Sequence, residues 1–162
     1  MTSRRFVLNA SPLILLAKIE ALELLTKLAG EIAVPAAVRT EVSAGPRTSA
    51  PVRRFLRKRG VRREADAPVP EEIAGWDLGA GESQVLRFAV ANPGWEAVLD
   101  DLEARRCARS LGVPVTGTLG VVLRAKQAGT LKAARPMVEA LVQKGAYLGR
   151  DLVEAALRSV GE

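Results

Sequence analysis

Five polar residues, Asn9, Glu41, Glu82, Asp100 and Asp101, stand at or beside the ends of apolar segments. Four of them are carboxylates, and the chain contains no histidine. Clustered oxygen donors suit hard divalent cations, Mg²⁺ or Mn²⁺, which prefer oxygen to nitrogen or sulfur. Zinc sites built on Cys and His are excluded by the same composition. With a surplus of positive charge elsewhere, the pattern implies metal-dependent cutting of an anionic polymer, a nucleic acid.

Each residue also has a plainer reading. Asn9 ends the first apolar run, where it offers a neutral oxygen and so binds a cation less strongly than Asp would. Either Asn9 or Ser11 can cap the helix that follows, and for Ser11 capping is a sufficient explanation. Glu41 lies on a helix opened by Pro35, at the boundary set by the core residues Val38 and Val42. Glu82 starts a helix after Leu78-Gly79-Ala80-Gly81. A carboxylate in a first turn is favoured by the helix dipole, while the glycines let backbone pass close to a ligand. The loop lacks the lysine of a P-loop and the full dinucleotide spacing. Asp100-Asp101 follows the apolar Val98-Leu99, so one acid can cap the next helix while the other faces a site at the strand's carboxyl end. Thr118 can contact phosphate or a metal-bound water, though a helix cap is the favoured reading. Cys107 falls on an apolar helical stripe and is expected to be a small core residue.

The net charge is +6, and it is concentrated. Residues 53–63 carry Arg53, Arg54, Arg57, Lys58, Arg59, Arg62 and Arg63 with no acid among them; taking those seven charges away leaves −1. Guanidinium groups bind phosphate bidentately. Phosphate contact through Arg53, Arg54, Arg57, Lys58 and Arg59 is therefore set slightly ahead of a merely solvated helix face. An acidic protein partner would want the same patch.

These groups must be positioned by alternating strands and helices. Arg4–Leu8, Ile32–Val34, Trp95–Leu99 and Val113–Thr116 are short apolar runs suited to buried strands, with a further strand near 61–65. Helices are expected from about Pro12 to Lys18 and Ala21 to Leu28, then from Pro35, over the basic segment up to Gly60, from Glu82, through Ala104–Leu111, and from Gly117 to about Gly129. Residues 43–51 are turn-forming, and the 67–72 stretch is expected to be loop. The last quarter is helical throughout, with stripes Met137, Val138, Leu141, Val142 and Leu152, Val153, Ala156, Leu157, Val160 suited to core or dimer surface. The pattern implies one α/β domain with a parallel sheet. At 162 residues and 48% hydrophobic, the chain can bury a substantial core, filled by aliphatic side chains because aromatics make up only 4%. No apolar run approaches a membrane span. The basic start is not a signal peptide, because Asn9, Ser11, Pro12, Lys18 and Glu20 interrupt it. A single cysteine is compatible with a reducing cytoplasm.

The segments VLNASPLILLAKI, IAVPAAVRTEV, LGAGES, VLDDLEARRCA and VTGTLGVVLRAK, in this order, resemble the PIN-domain superfamily, and within it a branch of small prokaryotic proteins with an Asn-x-Ser-Pro-Leu-Ile start. The resemblance runs from about residue 5 to 160. It implies a three-layer α/β/α sandwich with a central parallel sheet and extra C-terminal helices, and an acidic Mg²⁺ or Mn²⁺ site at one end. It implies a ribonuclease, with RNA as substrate and, as in its toxin members, an antitoxin as partner; a homodimer is expected from the apolar C-terminal helices. By position, the acidic motif falls on Asn9 (with Ser11 beside it), Glu41, Glu82 and Asp100 or Asp101, with Asp101 preferred; Thr118 lies near a further polar contact. Asn9 departs from the pattern, since most active members carry Asp there; the substitution removes one negative charge, for which Asp100 beside Asp101 can compensate.

Overall fold

The computed structural model describes residues 3–44 and 50–162. In chain order its elements are β1 (Arg4–Leu8), α1 (Ala10–Lys18), α2 (Glu23–Leu28), β2 (Ala29–Pro35), α3 (Ala36–Ala44), α4 (Ala50–Leu56), β3 (Val61–Glu64) and α5 (Glu71–Ala74). There follow α6 (Ala80–Ala91), β4 (Glu96–Val98), α7 (Leu102–Ser110), β5 (Val115–Thr116), α8 (Thr118–Gln127), α9 (Arg135–Gln143) and α10 (Arg150–Ser159). Among the described residues, the strands form one five-stranded sheet in the order β3-β2-β1-β4-β5, and every pairing is parallel.

A parallel sheet is covered on both faces, so its strands must be apolar without alternation. Phe6, Val7 and Leu8 of β1, Ala33 and Val34 of β2, and Ala97 and Val98 of β4 are all fully buried. Helix α6 packs on β1, β2 and β4, with α5 and α7 beside it. On the other face α1 packs against α4, α8 and α9, while α2 packs on β2 and α8. The result is the α/β/α sandwich, and α9 and α10 bury Val138, Leu141 and Leu157 in the same core as the sheet. Cys107 is fully buried in it too, and burial pushes its thiol pKa up.

The strand order decides where a site can form. The chain runs outward from β1 through β2 to β3, then crosses back to place β4 on the other side of β1. Neighbouring connections therefore leave the sheet in opposite directions at β1 and β4, which opens a crevice at their carboxyl ends. The backbone N–H of Asn9 donates to the carbonyl of Val98 at 3.2 Å, which holds these two ends side by side.

Several local expectations are corrected. Gly30 does not end a helix; it lies inside β2. The 67–72 stretch is not wholly loop, since α5 begins at Glu71. Helix α1 starts at Ala10, so Asn9 is its N-cap position and Ser11 is already helical. Pro12 is tolerated there because a first-turn N–H has no intrahelical partner. The turn-forming stretch 43–51 includes residues 45–49, which lie outside the described residues.

Candidate metal centre

The crevice between β1 and β4 collects side chains from five places in the chain. Asn9 follows β1, Ser11 lies on α1, Glu41 on α3, Glu82 in the first turn of α6, and Asp100 follows β4. All line one cleft of about 1050 Å³, together with Asp101 and Thr118.

Asp100 is the most firmly held of them. Its Oδ2 accepts hydrogen bonds from Ser11 Oγ and Thr118 Oγ1, both at 2.7 Å. Its Oδ1 accepts from the backbone N–H of Thr118, also at 2.7 Å. Three donors to one carboxylate fix its orientation. Asp101 takes the other role. It is the N-cap of α7, and its Oδ2 accepts from the N–H of Ala104 at 2.9 Å. The strand-to-helix turn has one capping position and Asp101 fills it, while Asp100 beside it in the same cleft is the acid held by three donors. The capping roles assigned to Ser11 and Thr118 are corrected. Gly117 is the N-cap position of α8, and both hydroxyls donate to Asp100 instead.

The second group surrounds Gly81. Its N–H donates to Glu41 Oε1 at 2.9 Å. A Cβ on Gly81 would lie 2.5 Å from Glu41 Oε1 and 2.9 Å from Asn9 Oδ1, so those two oxygens crowd the space that only glycine leaves open. Gly79 gives similar room to the Glu82 carboxylate. Both glycines therefore serve the loop's closeness to protein carboxylates, and Gly79 does so at an ordinary φ of −61°. Asn9 is 3% exposed; its Nδ2 donates to Glu82 Oε1 at 3.2 Å, while its Oδ1 is buried without a hydrogen-bond partner.

An orphaned buried oxygen beside two carboxylates matches the donor chemistry of a hard cation, which would supply the missing partner. The convergence is incomplete, since among the described residues no three acidic side chains come together as a metal-binding group. Glu41, Glu82, Asp100 and the Asn9 carbonyl are the oxygens available, a set that depends on the neutral Asn9 to complete it.

The basic segment lies elsewhere. Ile32 N–H, near the start of β2, donates to Gly60 O at 3.1 Å, which places the turn carrying Arg57, Lys58 and Arg59 at the amino-terminal rim of the sheet. The cleft is at the opposite, carboxyl-terminal rim. Arg53 and Arg54 are on α4, and none of these five residues lines the cleft. Arg62 is committed to ion pairs with Glu31 and Glu64 and lies 5.4 Å from the centre of the Trp95 ring. Local density of charge in sequence carries no information about which end of a parallel strand it will reach.

Two cations that do line the cleft, Arg105 and Arg109, come from α7. Their spacing of four residues on a capped helix after an acidic strand end was the available signal. The far wall is apolar, including Ile14, Leu119, Leu123, Leu148 and Leu152.

Comparison with known proteins agrees with this architecture. The PIN domain endonuclease Utp24 superposes with a TM-score of 0.55 at 9% identity, covering 70% of this chain and 84% of that one. No curated protein sequence matches the chain. The family model described as PIN domain matches residues 5–162. With that match across nearly its whole length, the chain belongs to the PIN-domain family.

Proposed function

We propose that this PIN domain is a divalent-metal-dependent ribonuclease whose site is the crevice between β1 and β4. The observation that carries the reading is the buried, unpartnered Asn9 Oδ1 close to Glu41, with Asn9 Nδ2 on Glu82 and Asp100 held in the same cleft by three hydrogen bonds. Glu41, Glu82 and Asp100 would hold Mg²⁺ or Mn²⁺, with the Asn9 carbonyl as a neutral fourth donor. The cation, when bound, supplies a Lewis acid for a phosphoryl oxygen and lowers the pKa of a water.

The chain's own residues do the rest. Ser11 and Thr118 orient Asp100 by donating to it, so that little reorganisation is needed when a substrate arrives. Gly81 N–H orients Glu41. Asp101 acts indirectly by capping α7. Loss of metal-dependent cutting of RNA in a Glu82→Gln, Asp100→Asn double variant tests the reading, and its persistence there would contradict it.

A second reading rests on the Asn9 Nδ2 to Glu82 Oε1 hydrogen bond. That bond satisfies a site carboxylate without any cation, as in a module that binds nucleic acid or protein without cutting. A folded protein that binds RNA but never cleaves it, in Mg²⁺ or Mn²⁺, would favour this alternative.

A further inference from the structure

Helix α7 carries Arg105, Arg106 and Arg109, and the structure treats them differently. Arg106 points away and pairs with Glu103 at 2.6 Å. Arg105 and Arg109 line the cleft, and among the described residues neither makes an ion pair or hydrogen bond. Arg105 is only partly exposed, so it has less freedom to lose on meeting a ligand than a fully solvated side chain has.

The seat of the Arg105 guanidinium is built by an absence. A Cβ on Gly117 would lie 2.6 Å from Arg105 Nη1 and 3.0 Å from Asp100 Oδ1. Gly117 has φ −108° and ψ −177°, extended backbone that any residue adopts. Glycine here leaves space rather than supplying conformation, and that space is occupied by the flexible end of one unpaired cation beside one site carboxylate. Asp100 does not need that cation, because Ser11 Oγ, Thr118 Oγ1 and Thr118 N–H already satisfy it. Arg105 also lies outside ion-pair distance of Asp100, since no such pair occurs among the described residues.

We propose that Arg105, seated over Gly117, is the residue that binds a backbone phosphate of the polynucleotide at the mouth of the acidic crevice, with Gly117 as its positioning residue. An acidic crevice repels a polyanion, so a fixed donor at its edge must offset that repulsion where the strand enters. A guanidinium does so with two parallel N–H donors matched to phosphate oxygens. The helix presents Arg109 four residues further along the same face, in line for an adjacent phosphate. The proposal rests on the nuclease reading for the identity of its polyanion, but its test does not require cleavage.

The test is the affinity of a fluorescently labelled single-stranded oligoribonucleotide in EDTA, measured from low to moderate salt. Four proteins are compared: the parent, Arg105→Gln, Gly117→Ala and Arg106→Gln. Arg105→Gln is expected to weaken binding about ten-fold and to reduce the slope of log affinity against log salt by about 0.7. Gly117→Ala should give a similar loss with its charge intact, because the new methyl displaces the guanidinium. Arg106→Gln makes the same change in net charge on the other side of α7 and should alter binding less than about two-fold. Melting temperatures are recorded alongside; unchanged values for Arg105→Gln exclude a merely structural role. Equal losses for Arg105→Gln and Arg106→Gln would overturn the proposal, as would an unchanged salt slope or a parent that does not bind. Metal-dependent cutting by a parent whose Arg105→Gln variant binds normally would sink the anchor and leave the nuclease reading standing. Absence of cutting with Arg105-dependent binding would do the reverse.

Discussion

Asp100 and Thr118 are tied together twice, through the backbone N–H to Oδ1 and through the hydroxyl to Oδ2, each at 2.7 Å. The pair closes the start of α8 onto the end of β4 and leaves one carboxylate fixed at the crevice. Its neighbour Asp101 is spent on the N–H of Ala104. Two adjacent acids of the same type thus have separable functions.

That separation predicts opposite profiles. Asp100→Ala leaves a helix N–H and two hydroxyls without their acceptor, so it should cost about 2–4 kcal/mol of stability and abolish cutting. Asp101→Ala removes only a cap, should cost about 1 kcal/mol, and should keep cleavage within about ten-fold of the parent. Chemical denaturation paired with an RNA cleavage assay checks both.

Asn9→Asp replaces a donor to Glu82 with a like charge. In EDTA the variant should melt about 2–6 °C below the parent. With saturating Mn²⁺ the order should narrow or reverse, because added ligand charge tightens cation binding by about ten-fold or more and binding stabilises the folded state. Thermal melts with and without metal make the comparison. Equal metal-induced shifts in the two proteins would show that Asn9 does not face the cation.

Gly81→Ala is diagnostic because helix propensity favours the change by about 1 kcal/mol. Against that, the new Cβ meets Glu41 Oε1 and Asn9 Oδ1. The expected outcome is a protein of near-parent stability whose cleavage falls at least about ten-fold, as Glu41 is pushed off the Gly81 N–H.

Much of this was legible in the sequence, for physical reasons. Strands buried on both faces must be continuously apolar, so Phe6–Leu8, Ile32–Val34 and Ala97–Leu99 declare themselves. Polar residues at the ends of such strands in a parallel sheet fall at one rim, as Asn9 and Asp100 do, and Glu41 on α3 and Glu82 on α6 line the same cleft. What periodicity could not resolve was direction within a dipeptide, as with Asp100 against Asp101, since one dihedral decides which acid turns inward. Nor could it assign the rim reached by a charged turn, which depends on whether the turn precedes or follows its strand. Arg57, Lys58 and Arg59 precede β3; Arg105, inconspicuous in a basic sequence, follows β4. Gln84 was likewise silent: its buried amide accepts from Ala67 N–H and donates to Ala67 O, pinning the segment after β3 onto α6.

The placement of the basic turn carries its own prediction. Replacing Arg57, Lys58 and Arg59 with Gln should change cleavage of a short RNA by less than about three-fold at physiological salt, since exposed charges act over a Debye length of about 8 Å. A loss as large as that expected for Arg105→Gln would mean that the strand wraps around to the far rim. Short and long RNAs compared side by side would show it.

Acid stability should depend on Glu162. Its carboxylate accepts from Ala134 N–H at 2.7 Å and Arg135 N–H at 2.9 Å, and these bonds, aided by Lys126, hold its pKa below the usual value. A depressed carboxylate pKa contributes stability above its unfolded value and loses it as pH falls through the folded one. Glu162→Gln should therefore lower the melting temperature at neutral pH, and the difference should shrink as the pH drops below the ordinary glutamate range. A pH-independent difference would assign the effect to packing.

Metal-dependent catalysis in the β1–β4 crevice is decided by cleavage of an end-labelled single-stranded RNA in Mn²⁺ or Mg²⁺, with an EDTA control and the folded Glu82→Gln, Asp100→Asn variant alongside. The expected result is cutting that requires the metal and disappears in the variant. Intact RNA with well-folded parent protein in both metals, or cutting that survives in EDTA or in the variant, would contradict it.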